Sequence, residues 1–233
     1  MDLANFSDGR GICFYSDRQD GDAGSDYVGY ELSRYSSLYA CIGDLIGRSS
    51  GFEVLKASQC HSSTVVEASM LWHDPPKADG IYSTEATLIP TVMVADCVPI
   101  GLYSKSGGIT AAIHAGWRGL TAGVVENAVD LIERESGVND IEAVIGPHIC
   151  SSCYEFVGPE SLEVVRAFGE DCFVGEGCNY LDLSACIEKI FDTKGVTKIF
   201  EEKDCTLCSG RFFSYRGGDT TQRIILGVGV VGE

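Results

Sequence analysis

The middle of the chain, residues 91–119, most constrains what it can fold into. Thr91-Val92-Met93-Val94-Ala95 is followed, beyond Asp96-Cys97, by an apolar stretch from Val98 to Tyr103. After Ser106-Gly107-Gly108 comes another, from Ile109 to Ile113. β-Branched runs of this kind, separated by a Gly-Gly turn, predict strands packed inside a sheet. One run closes on Ala95-Asp96-Cys97 and another on His114-Ala115-Gly116-Trp117-Arg118-Gly119. Side chains of neighbouring strands converge at strand ends, so a thiol, an imidazole and a guanidinium are expected around one cleft.

The flanking sequence mixes both periodicities. Phe52 to Ala57 alternates as a strand, Thr64 to Glu67 reads as another, and His61 stands between them. Pro75, Pro76 and Gly80 mark a loop before the central strands. Thr121 is placed to cap a helix with apolar positions Val124, Val125, Ala128, Leu131 and Ile132, running to about Glu135. Residues 141–145 form a short strand closed by Gly146-Pro147, and helices are expected over 160–168 and 184–194. Strands are expected at Ile199-Phe200, at Phe212 to Tyr215 and from about Arg223 to Val231. The first sixty residues are the least ordered by pattern. They hold a Gly- and Asp-rich loop from Asp17 to Asp26, then one helix within 32–47 through Tyr35, Leu38, Tyr39, Ile42 and Leu45. Mixed strands and helices with short links make the class α/β or α+β.

The formal charge of -17 disfavours nucleic acid and anionic membrane as partners, since both recruit basic patches. The opening residues are polar and acidic, which predicts no secretory signal. The longest apolar stretch is interrupted by Pro90, Asp96 and Pro99, which excludes a membrane span. Eleven cysteines without an export signal fit a reducing cytoplasm in which thiols stay free or bind metal.

His61, Cys97 and His114 are the best metal-ligand set: two imidazoles and a thiolate leave a fourth position open, as in a catalytic zinc site. Against this, buried cysteine commonly serves as a small apolar residue, and an isolated histidine is more often part of hydrogen-bonded packing. Two Cys-x-x-Cys pairs, Cys150/Cys153 and Cys205/Cys208, offer a four-cysteine zinc site or a redox pair. Their wide separation favours free thiols in loops. His73, beside Asp74 and two prolines, reads as an exposed loop residue, and His148 has no evident partner. Arg118, in a Gly-flanked loop immediately before a helix, suits phosphate or a carboxylate, or else caps a carbonyl. Asp96 either moves a proton, orients a ligand histidine or caps a turn. Arg216 and Arg223 either enter the cleft or remain solvated. A cytidine-deaminase site is excluded because no histidine is followed two residues later by glutamate. A blue-copper site with Met93 as axial ligand survives weakly, and four histidines cannot supply a multicopper laccase.

Several short elements together resemble one family: Gln59-Cys60-His61-Ser62, Ala78-Asp79-Gly80, Ala95-Asp96-Cys97-Val98-Pro99, His114 to Gly119, Ile145-Gly146-Pro147 with Tyr154-Glu155, and Phe213-Ser214-Tyr215-Arg216. Their order and spacing resemble the laccase-domain family, also called the YfiH or polyphenol oxidase family and, more recently, purine nucleoside phosphorylase. The resemblance runs from about residue 50 to the C-terminus, and His114 to Gly119 is its most specific part. It implies one domain over residues 1–233, divergent near the N-terminus, with mixed β-sheets packed as a sandwich between helices. It also implies zinc on His61, Cys97 and His114, with copper as the alternative metal. Arg118 and Asp96 are the expected catalytic residues, and Gln59, Tyr154 and Arg216 the substrate-binding ones.

The implied reaction is phosphorolysis of adenosine, inosine, guanosine or methylthioadenosine to base and ribose 1-phosphate, with inorganic phosphate as co-substrate and adenosine deamination beside it. Two elements depart from the family pattern. Phe14 to Arg18 and the following Gln19 to Gly24 fit its N-terminal element poorly, and Gln222 replaces the usual glycine before Arg223. Three other readings stay open: a hydrolase with Cys97 as nucleophile activated by His114, a copper-dependent phenol oxidase, and a catalytically silent nucleoside-binding protein.

Overall fold

The computed structural model describes residues 1–28, 31–33 and 36–232. Its early strands are β1 (Asp2–Asn5), β2 (Gly11–Tyr15), β3 (Tyr27–Val28), β4 (Glu31–Leu32), β5 (Glu53–Lys56), β6 (Val65–Glu67) and β7 (Gly80–Ser83). The central three are β8 (Leu88–Val94), β9 (Val98–Ser104) and β10 (Ile109–Ala115). Then come β11 (Ile141–Ile145), β12 (Phe173–Val174), β13 (Tyr180–Leu181), β14 (Thr197–Glu201) and β15 (Ile224–Val230). The helices are α1 (Ala23–Asp26), α2 (Ser37–Leu45), α3 (Trp117–Ala122), α4 (Val124–Ser136), α5 (Ser161–Phe168) and α6 (Leu183–Lys194).

Two mixed sheets carry the architecture. One has the order β1-β2-β15-β8-β5-β4-β3 and the other β14-β11-β9-β10-β7-β6. Side-chain alternation decides what each face touches. In β15, Ile224, Leu226 and Val228 enter the core between the sheets, together with Cys13 and Tyr15 of β2 and Ala112 of β10. Ile225, Ile12 and Phe14 point the other way, under α2. On the far side of the second sheet, Ile109, Ala111, Ile113 and Ala115 of β10 pack against Val125, Ala128 and Ile132 of α4 and Ile187 of α6. The result is helix, sheet, sheet, helix, the sandwich with flanking helices expected from the sequence. The central strands are wholly buried along both β9 and β10, which is why they read as continuous apolar runs.

Several expectations are corrected. Phe212 to Tyr215 is not a strand: Phe212 and Phe213 are both buried, so alternation fails, and the segment is curled by Ser214 N–H to Asp219 and Gly218 N–H to the Tyr215 carbonyl. Thr121 does not cap a helix, because the helix starts earlier, at Trp117; the Thr121 hydroxyl donates to the Arg118 carbonyl. Gly123, at φ 88, then separates α3 from α4. The helix expected within 32–47 is the shorter α2, capped by the Ser36 side chain, and Tyr35 lies outside the described residues. Strands β1, β2, β3, β4, β7, β12 and β13 had no expectation. Among the described residues, no helix is long and apolar enough to cross a membrane.

Candidate metal centre and cleft

Two chain crossings between the sheets create the site. The link from β5 to β6 leaves the seven-stranded sheet for the six-stranded one and carries Gln59, Cys60 and His61. The link from β8 to β9 makes the same passage and carries Asp96 and Cys97. His114 comes from the end of β10, paired with Pro99 of β9. It shares strand parity with Ala112, so its ring faces the open end of the inter-sheet layer. The donor atoms of His61, Cys97 and His114 lie within 4.8 Å of one another. Among the described residues, His61 (φ 60) and Asp96 (φ 89) are the two non-glycine positions with positive φ. Backbone held in that sparsely populated region clusters at functional sites.

Asp79 organises the centre, and the sequence reading quoted it only as part of a family element. It is fully buried just ahead of β7. Its carboxylate accepts hydrogen bonds from the backbone N–H groups of Cys60, His61 and Ser62, from the Ser62 hydroxyl, and from His114 Nδ1 at 2.8 Å. Burial alone would raise this carboxyl, but the hydrogen bonds from His114, Ser62 and His61 hold it well below the usual carboxylate range. The pairing fixes the His114 ring and leaves its Nε2 for a metal, the usual carboxylate–histidine–metal arrangement. A lone aspartate directly before an apolar strand was the available signal.

The donor set fits one metal ion. Cys97 Sγ lies 3.9 Å from His61 Nε2. A Cβ on Gly116 would stand 2.9 Å from that sulfur and 3.2 Å from His61 Cδ2, so the glycine keeps the space open. Burial would raise the Cys97 thiol, yet hydrogen bonds from His114 and His61 draw it down to about 6. Burial would likewise lower His114, and the Asp79 carboxylate and Cys97 sulfur lift it to about 9. Both shifts favour a thiolate on Cys97 beside a protonated His114, so metal binding at this pair would displace a proton from the imidazole.

The centre opens into a cleft of about 650 Å³, within the range of small-ligand sites. Lys56, Arg118, Arg216 and Arg223 line it, as do Trp117, Tyr154 and Tyr215. Asp96 is its single lining carboxylate, and both its oxygens are engaged, by the Thr206 hydroxyl (2.7 Å) and the Arg216 backbone N–H (2.9 Å). A chain of formal charge -17 thus presents a locally cationic cavity.

Arg118 lies in the first turn of α3, 4.4 Å over the Trp117 ring, and makes no ion pair among the described residues. With only six residues in α3, the positive charge here belongs to the guanidinium far more than to a helix dipole. Arg216 donates to the Glu155 carbonyl and stacks 4.5 Å over Tyr154. Burial, then the nearby Cys97, push the Tyr154 phenol up to about 12, so it remains a hydrogen-bond donor at neutral pH.

Gln59 lines the cleft, but its amide is paired at both ends with the Met93 peptide. Arg223 bonds backbone carbonyls of residues 219, 220 and 222. His148 is buried away from the cleft, between the Gly146 carbonyl and the Ser184 hydroxyl, and His73 is exposed beside Asp74.

The sequence pattern of the family described as multi-copper polyphenol oxidoreductase laccase matches residues 43–230. The chain belongs to this laccase-domain family. Among its members, a Streptomyces coelicolor protein named purine nucleoside phosphorylase is 35% identical over 177 residues, covering 73% of this chain and 72% of its own. The Escherichia coli K12 purine nucleoside phosphorylase YfiH is 34% identical over 170 residues, covering 71% and 69%. The crystal structure of a Neisseria meningitidis protein of the DUF152 family superposes with a TM-score of 0.78 at 25% identity, over 99% of each chain. The first 42 residues, where the sequence departs from the family's motifs, fall outside the matched stretch. The copper in the family's description meets a single set of two imidazoles and one thiol here, with His73 and His148 elsewhere, so a multi-copper assembly does not fit these residues.

Proposed function

We propose that this protein is a zinc-dependent purine nucleoside phosphorylase, acting on adenosine, inosine, guanosine or methylthioadenosine with inorganic phosphate. One observation carries the reading beyond the names of the relatives: a metal-capable His-Cys-His set and four basic side chains share a single cleft of nucleoside size.

His61, Cys97 and His114 would hold the ion, and Asp79 fixes the His114 tautomer. When bound, the metal supplies Lewis-acid polarisation of a substrate heteroatom. Arg118 binds hydrogen phosphate and orients an oxygen toward the anomeric carbon, where a C–O bond forms as the glycosidic C–N bond breaks; the base leaves with that bond's electron pair and takes up the proton the phosphate gives up. Tyr154, stacked under Arg216, offers an aromatic wall and a phenolic donor to the base or sugar. Asp96 is better suited to positioning than to proton transfer, because Thr206 and Arg216 already occupy its carboxylate. Adenosine deamination at the same centre is a further activity of this reading.

The test is purified, zinc-loaded protein incubated with each of the four nucleosides in phosphate buffer, with base and ribose 1-phosphate followed by chromatography. Product formation that falls about a hundredfold in Arg118→Gln supports the assignment; no turnover of any nucleoside overturns it. Inosine formed from adenosine without phosphate would establish the deaminase.

Cys97, His114 and Asp79 also form a thiol–imidazole–carboxylate relay, and this geometry favours a second reading, a cysteine hydrolase. Inactivation by alkylation of Cys97 in the metal-free protein, with full activity lacking zinc, would support it. Zinc dependence would exclude it.

A further inference from the structure

A second cluster of sulfurs lies outside the cleft. Cys150 and Cys153 sit on the turn after β11, and Cys205 and Cys208 on the turn after β14. These strands are parallel neighbours, so both turns leave the same end of the sheet. Strand pairing thereby removes the separation in sequence that argued against a shared site. The four Sγ atoms lie within 4.8 Å of one another. A tetrahedral ion with Zn–S bonds of about 2.3 Å needs sulfurs roughly 3.8 Å apart, close to this arrangement. A four-iron cluster would force the sulfurs farther apart.

The backbone is shaped for thiolates as well. The Cys150 carbonyl accepts from the N–H groups of Cys153 and Tyr154, each at 3.0 Å, which makes a tight turn and directs both sulfurs of that pair the same way. The N–H groups of Cys150 and Leu207 point at Cys205 Sγ, at 3.2 and 3.3 Å. Donors aimed at a sulfur favour its charged form, the form that binds metal.

We infer that Cys150, Cys153, Cys205 and Cys208 bind one zinc ion as a closed structural site, clipping together the turns after β11 and β14, the first of which leads into the cleft residue Tyr154. The consequence reaches the candidate active centre through short links. Thr206, between the two cysteines of its turn, holds Asp96, the neighbour of Cys97. Tyr154 follows Cys153 directly, and its ring lies under Arg216. This site does not depend on the nucleoside reading.

The experiment is metal analysis of the full chain purified without chelator, alongside His61→Ala/His114→Ala and Cys153→Ser/Cys208→Ser. About two zinc ions per chain are expected in the unaltered protein and about one in each double variant. Cobalt substitution of the histidine variant should give the intense charge-transfer and ligand-field bands of a tetrahedral tetrathiolate. On the unaltered protein, a mercurial titration should release one zinc ion as Cys97 is modified and a second only as four further thiols are modified together, apart from the exposed Cys41 and Cys60, a readout that needs no variant to fold. Loss of zinc from the histidine variant, a disulfide among the four cysteines, or four thiols that react at once without metal release would each overturn the proposal. Failure of nucleoside turnover would leave it standing.

Discussion

Asp79 is the residue on which the candidate metal centre most depends without offering a ligand to it. It neutralises three consecutive backbone N–H groups of the His61 turn and orients His114. Asp79→Asn keeps the shape but removes the charge and turns one acceptor into a donor. Zinc affinity, read by competition with a chromogenic chelator, should fall about 10- to 100-fold; unchanged affinity would show that His114 is oriented without it. Cys97 gives a pH-dependent counterpart. Its folded-state pKa near 6 is below the ordinary thiol value, so the thiolate persists above pH 6 and is lost as pH falls through it. In metal-free protein, the iodoacetamide reaction rate should be half-maximal near pH 6, and zinc should suppress it; a midpoint near the ordinary value of about 8.5 would refute the depressed pKa. Residue types at strand ends offered His61, Cys97 and His114 as one candidate set beside blander readings, and it was the family resemblance that implied zinc on it. Residue types could not reveal Asp79, whose work is hydrogen bonding to backbone and to a second ring nitrogen, for which no ligand spacing exists.

At the level of elements, the long, wholly buried strands β9 and β10 and the amphipathic helices α4 and α6 were legible because one periodicity dominates each. Strand β2 was not: its five residues are all buried, and a short run of mixed type between polar loops carries no alternation to read. The segment 212–215 misled in the opposite sense, since aromatic content suggested a strand where two adjacent phenylalanines enter the core from a turn. Gly116 shows an element boundary serving chemistry. It precedes α3 at φ -79 and ψ 167, a conformation alanine adopts freely, so its small size answers to the close approach of Cys97 and His61 and not to the backbone. Gly116→Ala should therefore fold normally by circular dichroism while losing zinc and at least about a hundredfold in activity, because a displacement near 1 Å is costly at a reacting centre. Retained zinc at full stoichiometry would count against the donor geometry.

Across the whole molecule, the candidate centre sits on the seam between the sheets, with its candidate ligands arriving on two separate crossings and from the end of β10. The sequence suggested convergence at the ends of consecutive strands, but it could not say that β8 and β9 belong to different sheets, since both simply read as buried. That assignment depends on pairings such as β15 with β8, made by residues more than a hundred positions apart. The distance between the sheets is therefore a property on which the site relies, and Gly101 helps to set it. A Cβ there would lie 2.7 Å from Cys13 Sγ and 2.8 Å from Val228 Cγ2, both on the opposing sheet and both fully buried. Neither neighbour is a flexible chain end that can swing aside, so Gly101→Ala must push the layers apart or bend β9. Overpacking of this kind costs about 1–3 kcal/mol. Urea unfolding of the metal-free protein should show a lower midpoint with an unchanged slope, the signature of lost stability without a change in the surface exposed. Pro99 pairs with His114 only two residues along β9 from Gly101, so the same variant should also bind zinc more weakly. A variant with wild-type midpoint and wild-type zinc affinity would show that the seam tolerates a wider gap, and that the ligands hold their positions without support from the packed sheets.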